Sequence, residues 1–68
     1  MEFKLEGEYI ELKSLLKVTD LVDSGGAAKA AITNGEVKVN GVVETRKANK
    51  IRIGMTVTFD GQTITVIE

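Results

Sequence analysis

The dipeptide Asn40-Gly41, which lies between two short apolar runs, constrains the fold of this 68-residue chain more than any other feature. Asn-Gly between alternating apolar residues is the strongest short-range signal for a β-hairpin, because both residues accept the positive φ angles of a type I′ turn. A two-residue loop places Val39 opposite Val42 and Lys38 opposite Val43. We therefore predict a hairpin with a fixed register here.

A second hairpin is predicted around Asp60-Gly61 by the same reasoning. Counting outward from that turn, Val57 lies opposite Ile64 on one face of the sheet, and Thr58 lies opposite Thr63 on the other. The side-chain period of a strand is two, so this register turns all the apolar residues inward and all the threonines outward. Residues 2–6 also alternate and predict a short strand near the beginning of the chain.

Helical spacing appears twice before the first hairpin. Tyr9, Leu12, Leu15 and Leu16 recur at steps of three and four residues, which predicts a helix of two to three turns beginning at Glu8. The stripe formed by these four residues is expected to face the core.

A second helix is predicted to begin after Ser24, whose hydroxyl is a suitable N-cap, and to end before Gly35 in the left-handed conformation. Ala28, Ala31 and Ile32 share its buried face. The fold class that follows is α+β, with two short helices packed on a small, mostly antiparallel sheet, in a single domain over residues 1–68.

Two glycines in the first turn of the second helix, Gly25 and Gly26, need an explanation, because each costs about 1 kcal/mol in helix propensity. One explanation is a close contact with a neighbouring helix. The other is a ligand that approaches the backbone at the helix N-terminus. The residues alone leave both open.

The composition argues against catalysis and against metal binding. The chain has no cysteine and no histidine, which removes the usual nucleophile, general base and metal ligands. Ser14 and Ser24 are its serines, and neither lies in a nucleophile-elbow context. We therefore expect no enzyme activity, catalytic residue, cofactor, metal site or small-molecule substrate. No apolar run could span a bilayer and no signal peptide is evident, so we expect no membrane association and a cytoplasmic location.

Charge is distributed unevenly along the chain, although the net charge is only −1. Residues 29–52 carry six Lys and Arg residues against two Glu residues, whereas residues 1–28 carry three cations against six carboxylates. A basic middle third favours a surface that faces a polyanion. A chance cluster of solubilising lysines is the other interpretation.

The few aromatic residues restrict the mode of any nucleic-acid binding. Phe3, Tyr9 and Phe59 each fit an apolar stripe, and all three are expected in the core. Domains that read single strands by base stacking need exposed aromatic side chains. If RNA is the ligand, we expect recognition of backbone and shape, which suits structured RNA.

Two stretches of the sequence, residues 24–29 and 34–41, resemble the alpha-L RNA-binding motif. This domain also occurs in the S-four protein of the small ribosomal subunit, in pseudouridine synthases and in tyrosyl-tRNA synthetases. Glu44-Thr45-Arg46-Lys47-Ala48-Asn49-Lys50 is similar to a basic run of the small stand-alone bacterial proteins of the YbcJ/YaaA type. The resemblance extends over nearly the whole chain.

The resemblance implies non-catalytic binding of structured RNA, either ribosomal RNA or a ribosome-assembly intermediate. Separately, we expect the protein to be a monomer. Carried over by position, the RNA-binding residues are Ser24, Gly25, Lys29, Lys38, Asn40, Gly41, Arg46, Lys47 and Lys50. The alternative is a small protein-interaction module whose basic strip docks an acidic partner.

Two departures from the family pattern bear on binding strength. Many members have an arginine at the position of Gly25, so this chain lacks one expected phosphate contact there. Many members are also strongly basic, whereas this chain has a net charge of −1, which predicts weaker and more salt-sensitive binding.

Overall fold

Two helices and seven strands make up the fold in the computed structural model, which describes all 68 residues. In chain order the elements are β1 (Glu2–Lys4), β2 (Ile10–Glu11), α1 (Leu12–Val18), α2 (Gly25–Thr33), β3 (Val37–Val39), β4 (Val42–Val43), β5 (Lys50–Ile51), β6 (Thr56–Phe59) and β7 (Gln62–Ile67).

The strands form a five-stranded sheet in the order β1-β7-β6-β3-β4 and a separate two-stranded sheet of β2 and β5. Only the β1–β7 pair is parallel, and every other pair is antiparallel. The predicted fold class, α+β with two helices on a mostly antiparallel sheet, is therefore confirmed.

Both hairpins have the predicted register. Val39 pairs with Val42 across the first turn, where Asn40 and Gly41 have φ angles of 51° and 83°. Positive φ at both central residues is the type I′ geometry that Asn-Gly favours. In the second hairpin the partners are Val57 with Ile64 and the threonines with each other, also as predicted.

Helix α2 matches its prediction at both ends. The Ser24 hydroxyl accepts a hydrogen bond of 3.1 Å from the Ala27 N–H, and Gly35 follows the C-cap residue with a φ of 77°. The buried residues of the helix are those predicted to face the core, Ala28 and Ala31 together with Ile32.

Helix α1 begins later than predicted, at Leu12 rather than at Glu8. The two preceding residues form β2, which pairs with β5, and the Leu12 N–H donates to the Asn49 carbonyl at 2.9 Å. This pairing with a distant segment outweighs the local helical spacing. As a consequence Tyr9 is 42% exposed, and its predicted place in the core is wrong.

The core is one cluster of twelve buried apolar residues that joins the helices to the inner face of the five-stranded sheet. Leu15, Leu16 and Ile32 contribute from the helices, while Val57 and Ile64 contribute from the sheet. Phe3 and Phe59 are half-buried and pack against this cluster, as predicted. Neither helix is long and apolar enough to cross a membrane.

Candidate nucleic-acid interface

The loop at residues 44–50 is attached to the start of α1 by backbone hydrogen bonds. The Lys13 N–H donates to the Lys47 carbonyl at 3.1 Å, next to the bond between Leu12 and Asn49. Since α1 also packs against α2, the two helices and the loop are held in a fixed arrangement. Cations on all three segments therefore have defined relative positions.

Glu44 organises the loop from the inside. Its side chain is only 14% exposed, and its carboxylate accepts hydrogen bonds from the backbone N–H and the guanidinium of Arg46 and from the Asn49 amide. The bidentate bonds to Nε and Nη2 of Arg46 measure 2.9 and 3.0 Å. The hydrogen bonds from Arg46 lower the pKa of Glu44 to about 2, so the carboxylate is charged at any physiological pH.

Two adjoining hollows on this side of the molecule share Lys29 and Lys47, and together we call them the basic groove. One is completed by Thr33, Thr45, Arg46, Ala48, Asn49 and Lys50, and the other by Lys13, Ser14, Lys17, Gly25 and Gly26. The groove thus contains six of the nine Lys and Arg residues and no carboxylate side chain. A protein with a net charge of −1 presents a strongly positive surface here.

The positive charge in the middle of the groove is concentrated and poorly compensated. Lys29 lowers the pKa of Lys47 below its usual value, with partial desolvation and Lys13 as smaller causes in the same direction. The ion pairs within 4.0 Å in the structure are Lys13–Glu11 and Arg46–Glu44, so Lys29 and Lys47 have no carboxylate partner. A bound phosphate would relieve the repulsion between them.

The N-terminus of α2 opens into the same groove. A Cβ atom added to Gly25 would meet nothing within 4 Å, and one added to Gly26 would meet only the Ser24 hydroxyl, at 3.8 Å. The explanation of these glycines by a close helix contact is therefore wrong. Their N–H groups have no acceptor within the helix, and together with the helix dipole they favour an anion.

Five of the nine residues predicted to bind RNA lie in the groove, namely Gly25, Lys29, Arg46, Lys47 and Lys50. Ser24 adjoins it as the N-cap of α2. Arg46 is the one cation among them with a strong ion pair, and its bond to Glu44 raises its pKa above the usual value.

The three predicted residues of the first hairpin are not brought into the groove. Lys38 is exposed on β3, and Gly41 supplies the positive φ of the turn. Asn40 binds β6, because its Oδ1 accepts from the Thr56 N–H at 2.9 Å and its own N–H donates to the Thr56 carbonyl at 2.8 Å. Its observed contacts are those of a residue that fixes the tip of the hairpin.

The charge distribution along the sequence does not predict Lys13 and Lys17 as groove residues, because both belong to the acidic first third of the chain. They lie one turn apart on α1, with Ser14, away from the buried leucines. Residues four positions apart lie on the same face of a helix, so the spacing of Lys13 and Lys17 in the sequence indicates that their side chains are neighbours. They supply cations beside Gly25, the position at which the resemblance expects an arginine.

The sequence and fold comparisons agree on the family. Residues 3–67 match the S4 domain. The chain belongs to the S4-domain family. An S4 domain is the alpha-L RNA-binding motif, and this one is non-catalytic, as the composition predicted.

Two of the similar proteins are from Escherichia coli and Bacillus subtilis. This chain is 49% identical over 59 residues to the protein named "Putative RNA-binding protein YbcJ" of Escherichia coli strain K12. The aligned region covers 87% of this chain and 84% of that protein. This chain is 35% identical over 57 residues to the "Probable ribosome maturation protein RlbA" of Bacillus subtilis strain 168, covering 84% and 80%.

The fold of this S4 domain has also been seen experimentally in a similar protein. The solution structure of YbcJ from E. coli, described as revealing an alphaL motif involved in RNA binding, superimposes with a TM-score of 0.76. The two chains are 46% identical, and the match covers 98% of this chain and 86% of the other.

Proposed function

We propose that this S4 domain binds structured RNA through the basic groove, and that its RNA is ribosomal RNA or a ribosome-assembly intermediate. The observation that carries the proposal is the convergence of Lys29 and Lys47, two cations without carboxylate partners, beside the open N-terminus of α2. Such a surface matches the phosphate backbone of a folded nucleic acid.

The mechanism is electrostatic docking. Phosphates contact the lysines of the groove, and one phosphate takes the position in front of Gly25 and Gly26, where the missing side chains let it reach the backbone N–H groups. The rigid attachment of the 44–50 loop to α1 keeps the cations in place before RNA arrives, which limits the entropy lost on binding.

The choice of ribosomal RNA is supported by the similar proteins. The name of the Bacillus subtilis protein refers to ribosome maturation, and the name of the Escherichia coli protein refers to RNA binding. The protein is expected to act as a monomer in the cytoplasm, with no cofactor. Lys38, Asn40 and Gly41 remain proposed contacts, and if they bind RNA they do so at a separate place from the groove.

Crosslinking in cells, followed by sequencing of the attached RNA, tests the proposal. The wild type is compared with Lys29→Ala/Lys47→Ala and with the charge control Lys4→Ala, whose lysine lies on β1 outside the groove. We expect ribosomal RNA to be enriched with the wild type and with the control, and to be lost with the double variant.

An association with ribosomal particles that survives RNase would contradict the proposal. It would favour the alternative function, in which the groove docks an acidic protein.

A further inference from the structure

An exposed aromatic side chain lies at one end of the basic groove. Tyr9 is 42% exposed, and two cations lie over its ring, with Lys50 Nζ 5.0 Å and Arg52 Cζ 5.7 Å from the ring centroid. The Tyr9 hydroxyl makes no hydrogen bond within the protein. The ring is therefore neither a core residue nor part of a polar network.

The small sheet of β2 and β5 creates this arrangement. Its pairs are Ile10 with Ile51 and Glu11 with Lys50, and Ile51 is fully buried. Side chains alternate between the faces of a strand, so Tyr9 and Arg52, which lie opposite each other next to the isoleucine pair, share the outward face with Lys50 and its strand partner Glu11. Arg52 is further held by a hydrogen bond of 3.4 Å from its Nη1 to the Glu8 carbonyl.

We propose that Tyr9, Lys50 and Arg52 form a second RNA contact, which takes one unpaired base. The base stacks on the tyrosine ring, and the two cations bind the phosphates on either side of that nucleotide. This inference rests on the proposed function of the basic groove and specifies its ligand as a duplex stem next to an unpaired nucleotide.

Charge and continuity support RNA as the occupant of this surface. Lys50 lines the basic groove and also lies over Tyr9, so a strand that leaves the groove at Lys50 reaches the ring next. Neither Lys50 nor Arg52 has an ion pair. Stacking of a base on an aromatic ring is stronger than an exposed cation–π contact, so a base displaces a cation from the ring and frees it for phosphate.

Tyrosine fluorescence gives a direct test, because Tyr9 is the only tyrosine and the chain has no tryptophan. The probes are a blunt RNA hairpin and the same hairpin with a short unpaired adenosine extension. We expect the extended hairpin to quench the fluorescence of Tyr9 and the blunt hairpin to leave it nearly unchanged.

Affinity measurements with variants complete the test. Tyr9→Ala should weaken binding of the extended hairpin by about 5- to 100-fold and binding of the blunt hairpin by less than about twofold. Tyr9→Phe keeps the ring and should bind both probes like the wild type. The circular dichroism spectrum of each variant establishes that it is folded.

The outcomes separate this inference from the proposed function. If Lys29→Ala/Lys47→Ala loses both hairpins while Tyr9→Ala keeps both, the groove binds RNA and the stacking contact does not exist. If the wild type binds neither hairpin, both proposals are wrong. Quenching without any loss of affinity in Tyr9→Ala would also contradict the stacking contact, because the ring would then be near the RNA without binding it.

Discussion

Gly25 and Gly26 weaken the first turn of α2 without any steric need for glycine. Both have ordinary helical φ angles, and a Cβ at either position meets open space or a distant hydroxyl. We predict that Gly25→Ala and Gly26→Ala each stabilise the protein by about 0.5–1 kcal/mol, measured by urea unfolding. Each should nevertheless weaken RNA binding, because the new methyl group keeps phosphate away from the helix N-terminus.

Gly35 provides the matched glycine-to-alanine control, since its φ of 77° is unfavourable for a residue with a side chain. Gly35→Ala should destabilise the protein by about 1–2 kcal/mol while leaving RNA binding by the folded fraction unchanged. If alanine at position 25 or 26 leaves RNA affinity unchanged, phosphate does not approach the backbone there.

The ionised carboxylate of Glu44 accepts the hydrogen bonds that hold the 44–50 loop, so the stability of the loop depends on pH. The pKa of Glu44 is about 2 in the folded protein, against an ordinary value of 4.5, because its carboxylate accepts hydrogen bonds from Arg46. The stabilisation from this carboxylate is complete above pH 4.5 and is lost as the pH falls through about 2. We predict that part of the acid sensitivity of stability disappears in Glu44→Gln.

Urea unfolding of the wild type and Glu44→Gln at neutral and at acid pH measures this effect, and the amide shifts of Arg46 and Asn49 report on the loop. Glu36→Gln is the control, because Glu36 is exposed and has no ion pair. Equal acid sensitivity in Glu44→Gln and the wild type would show that this carboxylate does not hold the loop.

At the scale of elements, α1 contributes to the interface although it belongs to the acidic part of the chain. Lys13 and Lys17 line the groove beside Gly25. We predict that Lys17→Ala weakens RNA binding and lowers the slope of log affinity against log salt concentration by about one, as for the loss of one phosphate contact. Lys4→Ala removes the same charge outside the groove and should change neither quantity.

Local signals account for the elements that could be predicted. Both hairpins were predictable in register because the turn residues and the alternation of the flanking residues act over a few positions. The start of α1 was not predictable from local signals. Ile10 and Glu11 form β2, which pairs with β5 about 40 residues further along the chain, and this pairing takes both residues out of the helix. The same non-local pairing explains why Tyr9 was wrongly assigned to the core.

The part of the groove formed by α2 and the 44–50 loop was predictable, and the part formed by α1 was not. Lys29, Arg46 and Lys47 were found from the basic middle of the sequence and from the family resemblance. Lys13 and Lys17 were missed because a sum of charges along the sequence cannot show that α1 packs beside α2. The hairpin residues were included by position in the family motif, and the geometry keeps them outside the groove.

At the scale of the whole molecule, the separation of charge matters more than the net charge. Six cations line one groove without a carboxylate, so the remaining surface carries nearly all of the negative charge. RNA is attracted to the groove and repelled by the acidic part of the surface, which orients the protein during the encounter. Because each phosphate that the groove neutralises releases bound counterions, the affinity should depend steeply on ionic strength.

The central claim is that cations from α1, α2 and the 44–50 loop act together on the phosphates of a folded RNA. The most direct measurement is the affinity of the wild type and of Lys29→Ala/Lys47→Ala for a ribosomal RNA stem over a series of salt concentrations. With about four to six phosphates engaged, the wild type should show a log–log slope of about −4 to −5, and the double variant should lose about two units of that slope. A flat response of the wild type, or the same slope in both proteins, would contradict the account.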